Sequence, residues 1–335
     1  MDLNTIRLAT EYEGEVLYEF LNEYVKSEGL ETLFGNSKQN FLEHFKQKLF
    51  QALVIENKSE KQLVGCAFIS TGFHYHTGEW RHLHCCYIRH PFKSHKLERK
   101  VIQTVKRICF EEKANTLTTI VNGNNLSTLQ VLEAENCRNA KPAEQVHRHF
   151  WFMQSQYSTG SDYEINNTDY VIRDGMLEDD EERNRVCQLL EESLISHGIL
   201  GHRTLIRKYM ERNALLVDDK YGAVVLEHLR CVDGDGMTSI RDIVGCVLYS
   251  TLYNALKGKT YILHGLSINP AHRGKGLSKA LVRGLIKTCQ RYKCDGIFFI
   301  IFEGNDVSRS LFKSLQGTTD MTESEHKWEI LFTNL

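Results

Sequence analysis

At 335 residues the chain is long for one compact core and ample for two domains of ordinary size. With 41% apolar and 25% charged residues it has the composition of a soluble globular protein, and a net charge of -2 excludes a general nucleic-acid binder, which would carry a basic surplus. No stretch has the length of a membrane-spanning helix and the N-terminus lacks a signal-peptide pattern, so a cytoplasmic protein with no membrane partner is expected, its ten cysteines reduced.

In chain order, an apolar-Arg strand start (Ile6-Arg7) leads into a helical spacing at Val16, Leu17, Phe20, Leu21 and Tyr24. Strands follow at Leu53 to Glu56, Leu63 to Ser70 and Leu83 to Ile88. The neighbours Cys85 and Cys86 should then point to opposite faces of their strand. The polar stretch Gln154 to Asp162 has linker composition. After it the same order returns. Ile172-Arg173 starts a strand, Val186, Leu189 and Leu190 mark a helix, and strands run at Ala223 to Leu226, Ile243 to Ser250 and Ile262 to Ile268. A helix with Leu277, Leu281, Leu285 and Cys289 precedes the apolar strand Ile297 to Phe302. A short helix with Val307, Leu311 and Leu315 and a last strand through Trp328 to Phe332 complete the chain.

An offset of 180 positions aligns Val64-Gly65-Cys66 with Val244-Gly245-Cys246, Gly78 with Gly258, Leu83-His84 with Leu263-His264, and Leu97 with Leu277. One added residue then sets Gly123-Asn124 against Gly304-Asn305 and Ser127 against Ser308. The chain reads as a tandem duplication of an α/β unit built on a mixed sheet. The expected boundaries are 1–153 for a first domain, 154–169 for a linker and 170–335 for a second domain.

The chemistry gathers where a strand of the second unit meets its helix, at Arg273-Gly274-Lys275-Gly276-Leu277-Ser278. A diphosphate needs several backbone N–H groups converging near the positive end of a helix dipole, and glycines allow the close approach. Arg273 and Lys275 add positive charge. The first unit has Lys93-Ser94-His95-Lys96-Leu97-Glu98 at the matching place, with Lys96 for the key glycine and a carboxylate at Glu98. It reads as a copy that keeps the scaffold without the binding loop.

The strand, loop and helix resemble the GNAT acetyltransferase superfamily, whose signature is Arg or Gln, two residues, Gly, one residue, then Gly or Ala; here it reads Arg273-x-x-Gly276-x-Ser278. The resemblance implies two tandem acyl-CoA N-acyltransferase folds, acetyl-CoA as cosubstrate with no metal, and an amine acceptor. It implies further that Leu266, Ser267 and Ile268 offer backbone groups to the pantetheine arm and that Asn305 contacts the cofactor. Gly258 to Leu263, Cys289 to Cys294 and Gly317 to Glu323 look like the diamine and polyamine acetyltransferases, so a small diamine or polyamine acceptor is the leading expectation. Alternatives are a protein or peptide acetyltransferase and a CoA-binding regulatory protein.

For the general base the candidate is His264, on the strand before the loop, where the polyamine branch carries a glutamate; His84 matches it in the first unit and leaves inherited packing open. The family places an acid tyrosine where this sequence has Phe312, with Tyr249 and Tyr253 as conceivable substitutes. Histidines at 74, 76, 82, 84, 90 and 95 crowd one region, without the Cys or carboxylate set that a metal site would need. The acidic run Glu178 to Glu182 opens a helix, or attracts a cationic acceptor. The first unit is expected to stand in for the second subunit of a dimeric ancestor, as an intrachain pseudo-dimer.

Overall fold

The computed structural model describes residues 4–32, 34–74, 78–114, 116–122, 125–139, 148–154, 169–196, 221–231, 239–302, 305–315, 318–319 and 325–331. The linker composition at 155–162, most of the segment Gly317 to Glu323, and Gly123, Asn124, Gly304 and His76 lie outside the described residues.

The first half runs β1 (Asn4–Leu8), α1 (Gly14–Ser27), α2 (Lys38–Lys46), β2 (Phe50–Asn57), β3 (Gln62–His74), β4 (Gly78–Ile88), α3 (His95–Glu111), β5 (Thr116–Asn122), α4 (Leu126–Ala134), β6 (Arg138–Asn139) and β7 (Arg148–Gln154). The second runs β8 (Tyr170–Asp174), α5 (Asp180–Ser196), β9 (Tyr221–Cys231), β10 (Ser239–Asn254), β11 (Gly258–Ile268), α6 (Leu277–Arg291), β12 (Gly296–Phe302), α7 (Asp306–Lys313), β13 (Thr318–Thr319) and β14 (Glu325–Leu331). Helix α2 was not anticipated from the spacing; it seats Phe41 in the core beside Phe50 and Phe68.

Each half is a mixed sheet covered by helices, and the two share local devices. Arg7 bonds Glu13 and Glu56, and Arg173 bonds Glu182 and Glu227 in the matching positions, which holds the first strand to its helix and to the next strand. The pairing of β1 with β2 sets Arg7 opposite Val54, and that of β8 with β9 sets Arg173 opposite Val225. Cys85 packs with α1 and Phe68 on one face of β4, while Cys86 lies against the α3 cluster on the other. In the second half α6 buries Leu281, Val282, Leu285 and Ile286 on one face of the sheet, and α5 buries Val186 and Leu189 on the other. This is the GNAT fold twice in tandem.

The duplication holds its offset of 180 further than expected. Asn125 caps α4 by accepting from the Thr128 N–H, and Asn305 caps α7 by accepting from the Ser308 N–H. The helix starts therefore align Asn125 with Asn305 and Ser127 with Val307, with no added residue. The capping hydrogen bond fixes this alignment, whereas the earlier one followed residue identity alone.

The last strands are exchanged between the sheets. The first sheet has the order β1-β2-β3-β4-β5-β14-β6 and the second β13-β7-β12-β11-β10-β9-β8. Strand β7 of the first half pairs antiparallel with β12, with Gly296 opposite Gln154 through Phe302 opposite Arg148, and β14 of the second half pairs with β5. The last strand thus closes the other half's sheet.

The halves also meet through β10. Tyr253 stacks on Phe50 with ring centroids 4.1 Å apart, and its hydroxyl accepts from Asn36 Nδ2 at 3.0 Å. The N–H groups of Gly35 and Asn36 both reach the Leu256 carbonyl, and Asn40 Nδ2 reaches Asp295 Oδ1 at 3.3 Å.

Candidate active site

The site begins with two neighbouring strands that part. In the second half β11 and β12 pair in parallel only from Thr260 with Gly296 to Leu263 with Phe299. Beyond that point β11 continues to Ile268 beside β10, and β12 continues to Phe302 beside β7, so a wedge opens between them. The divergence starts at a β-bulge: Leu248 faces Gly265 and Tyr249 faces Leu263, which leaves His264 as the extra residue. The N–H and C=O groups of β11 past the bulge have no β12 strand to pair with.

Strand β11 ends at the candidate loop. Asn269 caps a short turn over Pro270–His272, and the chain then passes Arg273 to Ser278 into α6. Gly274 and Gly276 take φ of +79 and +75, the left-handed region that favours glycine. A Cβ built on either would meet nothing within 4 Å, so it is the backbone conformation, not crowding, that calls for glycine, and the space beside both stays open. Gly276 caps α6 without a side-chain hydrogen bond to the first turn, which leaves those N–H groups at the positive end of a 15-residue helix. Arg273 is held against the loop by its Nε bond to the Ile268 carbonyl, at 2.8 Å. Lys275 Nζ lies 2.9 Å from the Tyr170 hydroxyl. Leu277 is buried under the loop, while Ser278 is half-buried.

The other expected residues fall around the wedge. Leu266, Ser267 and Ile268 are on the free part of β11; the Ser267 hydroxyl is turned away, donating to the Leu189 carbonyl at 2.7 Å. Asn305 stands at the far side of the wedge, with its carbonyl oxygen committed to the α7 cap.

His264 has a setting unlike that of a general base. It is half-buried, Nε2 lies 2.7 Å from Ser250 Oγ, and desolvation pushes its pKa down to about 3. An imidazole so placed is neutral at physiological pH, and holds a proton too weakly to gather one from an attacking amine. Its counterpart His84 makes the same 2.7 Å contact with Ser70, and burial lowers its pKa too. The repeated pair fits a structural role at the bulge.

Phe312 is buried and stacks on Phe299, centroids 3.8 Å apart, directly at the point where the strands part. Tyr249 is buried against Tyr261, and Tyr253 belongs to the contact between the halves; burial raises the pKa of both well above the ordinary tyrosine value. Neither is placed to replace a tyrosine at 312. The acidic run is local structure: Asp179 accepts from the Glu182 N–H, and Glu182 binds Arg173. Among the described residues no group of three or more His, Cys, Asp or Glu side chains is set to hold a metal ion, and no helix is long and apolar enough to cross a membrane.

The comparisons agree with this geometry. Residues 203–317 match the acetyltransferase (GNAT) family model. A GCN5-related N-acetyltransferase from Sphaerobacter thermophilus superposes with a TM-score of 0.53 at 11% identity, over 99% of this chain and 96% of that one. A glucosamine N-acetyltransferase region of a fungal multi-domain β-N-acetylglucosaminidase gives 0.51 at 9% identity, over 98% of this chain and 38% of that one. A tandem GNAT protein from the clavulanic acid biosynthesis pathway gives 0.49 at 10% identity, over 98% of each chain. The first two likenesses show the fold. Fold, loop and the match over residues 203–317 are those of the acetyltransferase (GNAT) family. The family match lies in the second half, around the loop at Arg273 to Ser278.

Two features escaped the sequence reading. The first half's wedge is filled from within: Glu98 turns inward, accepting from Ser127 Oγ at 2.6 Å and lying 3.4 Å from Lys93 Nζ, while Asn125 Nδ2 donates to Glu28 at 3.0 Å. Around the second loop, Tyr170 and His228 join His272 and Lys275 in one cluster. The only signal for either was that the matching positions in the two halves carry different residue types.

Proposed function

We propose that the chain binds one acetyl-CoA, in the wedge of the second half, and transfers its acetyl group to a primary amine, with a small diamine or polyamine as the leading acceptor class. The observation that carries the reading is the uncapped start of α6 behind two left-handed glycines, beside a strand that has lost its β12 partner. Backbone N–H groups from Gly274 to Ser278, with Arg273 and Lys275, would hold the diphosphate. The free edge at Leu266, Ser267 and Ile268 would hold the pantetheine amides, with Asn305 across the wedge.

Acetyl-CoA supplies an acetyl group activated as a thioester. The chain's part is to orient the amine, to offer N–H groups past the bulge to the developing oxyanion, and to exclude water from the wedge. The new C–N bond forms as the C–S bond breaks, and the amine's proton passes to solvent. With Phe312 in place of a proton donor the sulfur leaves as thiolate, which for a thiol of pKa near 8.5 costs about 2 kcal/mol at pH 7.

The first half takes a supporting role in this reading, as the counterpart of a second subunit. The exchanged strands and the Tyr253 contact support an intrachain pseudo-dimer, with sequence units at 1–153 and 170–335 joined by 154–169. A cytoplasmic location accords with the composition. Free-thiol release from acetyl-CoA, followed against polyamines, thialysine, amino acids and histone peptides, tests the acceptor. Release with polyamines alone supports the reading, and release only with peptides replaces the acceptor class. Binding without release for any acceptor makes the chain a CoA-binding regulatory protein.

A further inference from the structure

Beside the diphosphate loop, four side chains from three segments converge. Tyr170, the first residue of β8, is paired in register with His228 of β9, and their rings lie 4.9 Å apart. His228 is 4.8 Å from His272, ring to ring, and the Tyr170 hydroxyl is 2.9 Å from His272 Nδ1 and 2.9 Å from Lys275 Nζ. Apart from Lys275, which also faces the diphosphate, nothing in the loop's grip on that group requires this cluster.

The hydrogen-bond directions follow from the donors. An ammonium can only donate, so the Tyr170 oxygen accepts from Lys275 and directs its own proton to His272 Nδ1. His272 then carries its ring proton on Nε2. That nitrogen is a donor, and Lys275 has two more N–H groups.

The charges run the same way. Burial, then His228, Lys275 and Arg230, lower the His272 pKa, and Asp242 alone opposes them while paired with Arg230. Such a field favours an anion.

The first half supplies an internal control. By strand register and loop position, Asn4 stands for Tyr170, Asn57 for His228 and Phe92 for His272. The Asn57 side chain there caps a turn, accepting from the Ser59 and Glu60 N–H groups, and Phe92 packs on the core. The half without the phosphate loop also lacks the cluster.

We propose that Tyr170, His228, His272 and Lys275 form a second anion subsite that takes a phosphate monoester at the adenosine end of the cofactor, the 3′-phosphate that distinguishes CoA from dephospho-CoA. The proposal rests on the reading of the loop as the CoA diphosphate site. Its chemistry is charge-assisted donation from the Lys275 ammonium and the His272 Nε2–H, with His228 and Arg230 adding field.

Calorimetric titration of the full chain with CoA and with dephospho-CoA tests it. The wild-type chain should bind CoA tighter by roughly tenfold or more, the scale of one charge-assisted hydrogen bond. His228→Ala and His272→Ala should each narrow that ratio towards one by weakening CoA while dephospho-CoA affinity holds. Equal wild-type affinity for the two ligands overturns the subsite without touching the diphosphate site, and needs no variant to fold. Binding of neither ligand overturns the reading of the loop, and the subsite with it.

Discussion

The two halves present the same wedge in two states. Both fourth strands bulge at a histidine, both part from the next strand after one short parallel stretch, and both lead into a long helix. In the second half Gly276 leaves the helix start bare, Ser278 is small, and Val307 at the start of α7 is exposed. In the first half Ser94 caps α3 by accepting from the Leu97 N–H, and Glu98 and Ser127 stand where Ser278 and Val307 stand and bond to each other. On the proposed reading, the scaffold alone does not make a cofactor site; it also takes an open helix terminus and a wedge that the chain's own side chains do not bridge.

Four changes sharpen or break that contrast. Gly276→Glu has the largest expected effect: a carboxylate at the helix start should weaken acetyl-CoA more than about a hundredfold by calorimetry, combining lost contacts with like-charge repulsion. Far-ultraviolet circular dichroism should stay close to native, because the added side chain meets open space and the left-handed φ costs only about 1 to 2 kcal/mol. Glu98→Ala, which opens the filled wedge, should lower stability by about 2 kcal/mol in urea unfolding by orphaning Ser127 and Lys93, and acetyl-CoA affinity should not move.

Phe312→Tyr restores a hydroxyl beside Phe299. It should raise kcat by about tenfold at pH 7 and much less at pH 9, where the thiolate leaves unaided; an unchanged pH profile would separate position 312 from the leaving group. The smallest effect belongs to His264. Because its pKa is about 3, His264→Asn should leave the pH–rate profile between 6 and 8 without a lost limb and lower kcat less than about tenfold.

The loop and the repeat were legible because both are local: glycines at fixed spacing and an ungapped offset need no partner to be read. The strand exchange was not, since the pattern of β7 or β14 specifies a strand with a buried face and not which of two similar sheets receives it. Glu98 was read as a carboxylate that does not suit a diphosphate loop, but its acceptor role is set by Ser127, 29 positions on. His264 was read from its ordinary pKa, and burial at the bulge moved it. The Tyr170 cluster draws on residues 102 positions apart, brought together only by the β8–β9 register and the turn at His272.

The contact between the halves carries its own pH dependence. Burial raises the Asp295 pKa to about 6, above its unfolded value of 3.8, at the place where Asn40 of the first half reaches it. The uncharged form is the one the fold prefers, so this contribution to stability is fully present below pH 3.8 and is lost as pH rises through 6. Asp295→Asn should flatten that slope in urea unfolding between pH 4 and 7.

The number of acetyl-CoA molecules bound per chain tests the central claim most directly. Calorimetry or native mass spectrometry of the full chain should give one site, lost in Gly276→Glu. Two sites per chain, or one that survives Gly276→Glu at full affinity, would contradict the assignment of an open wedge to the second half and a filled one to the first.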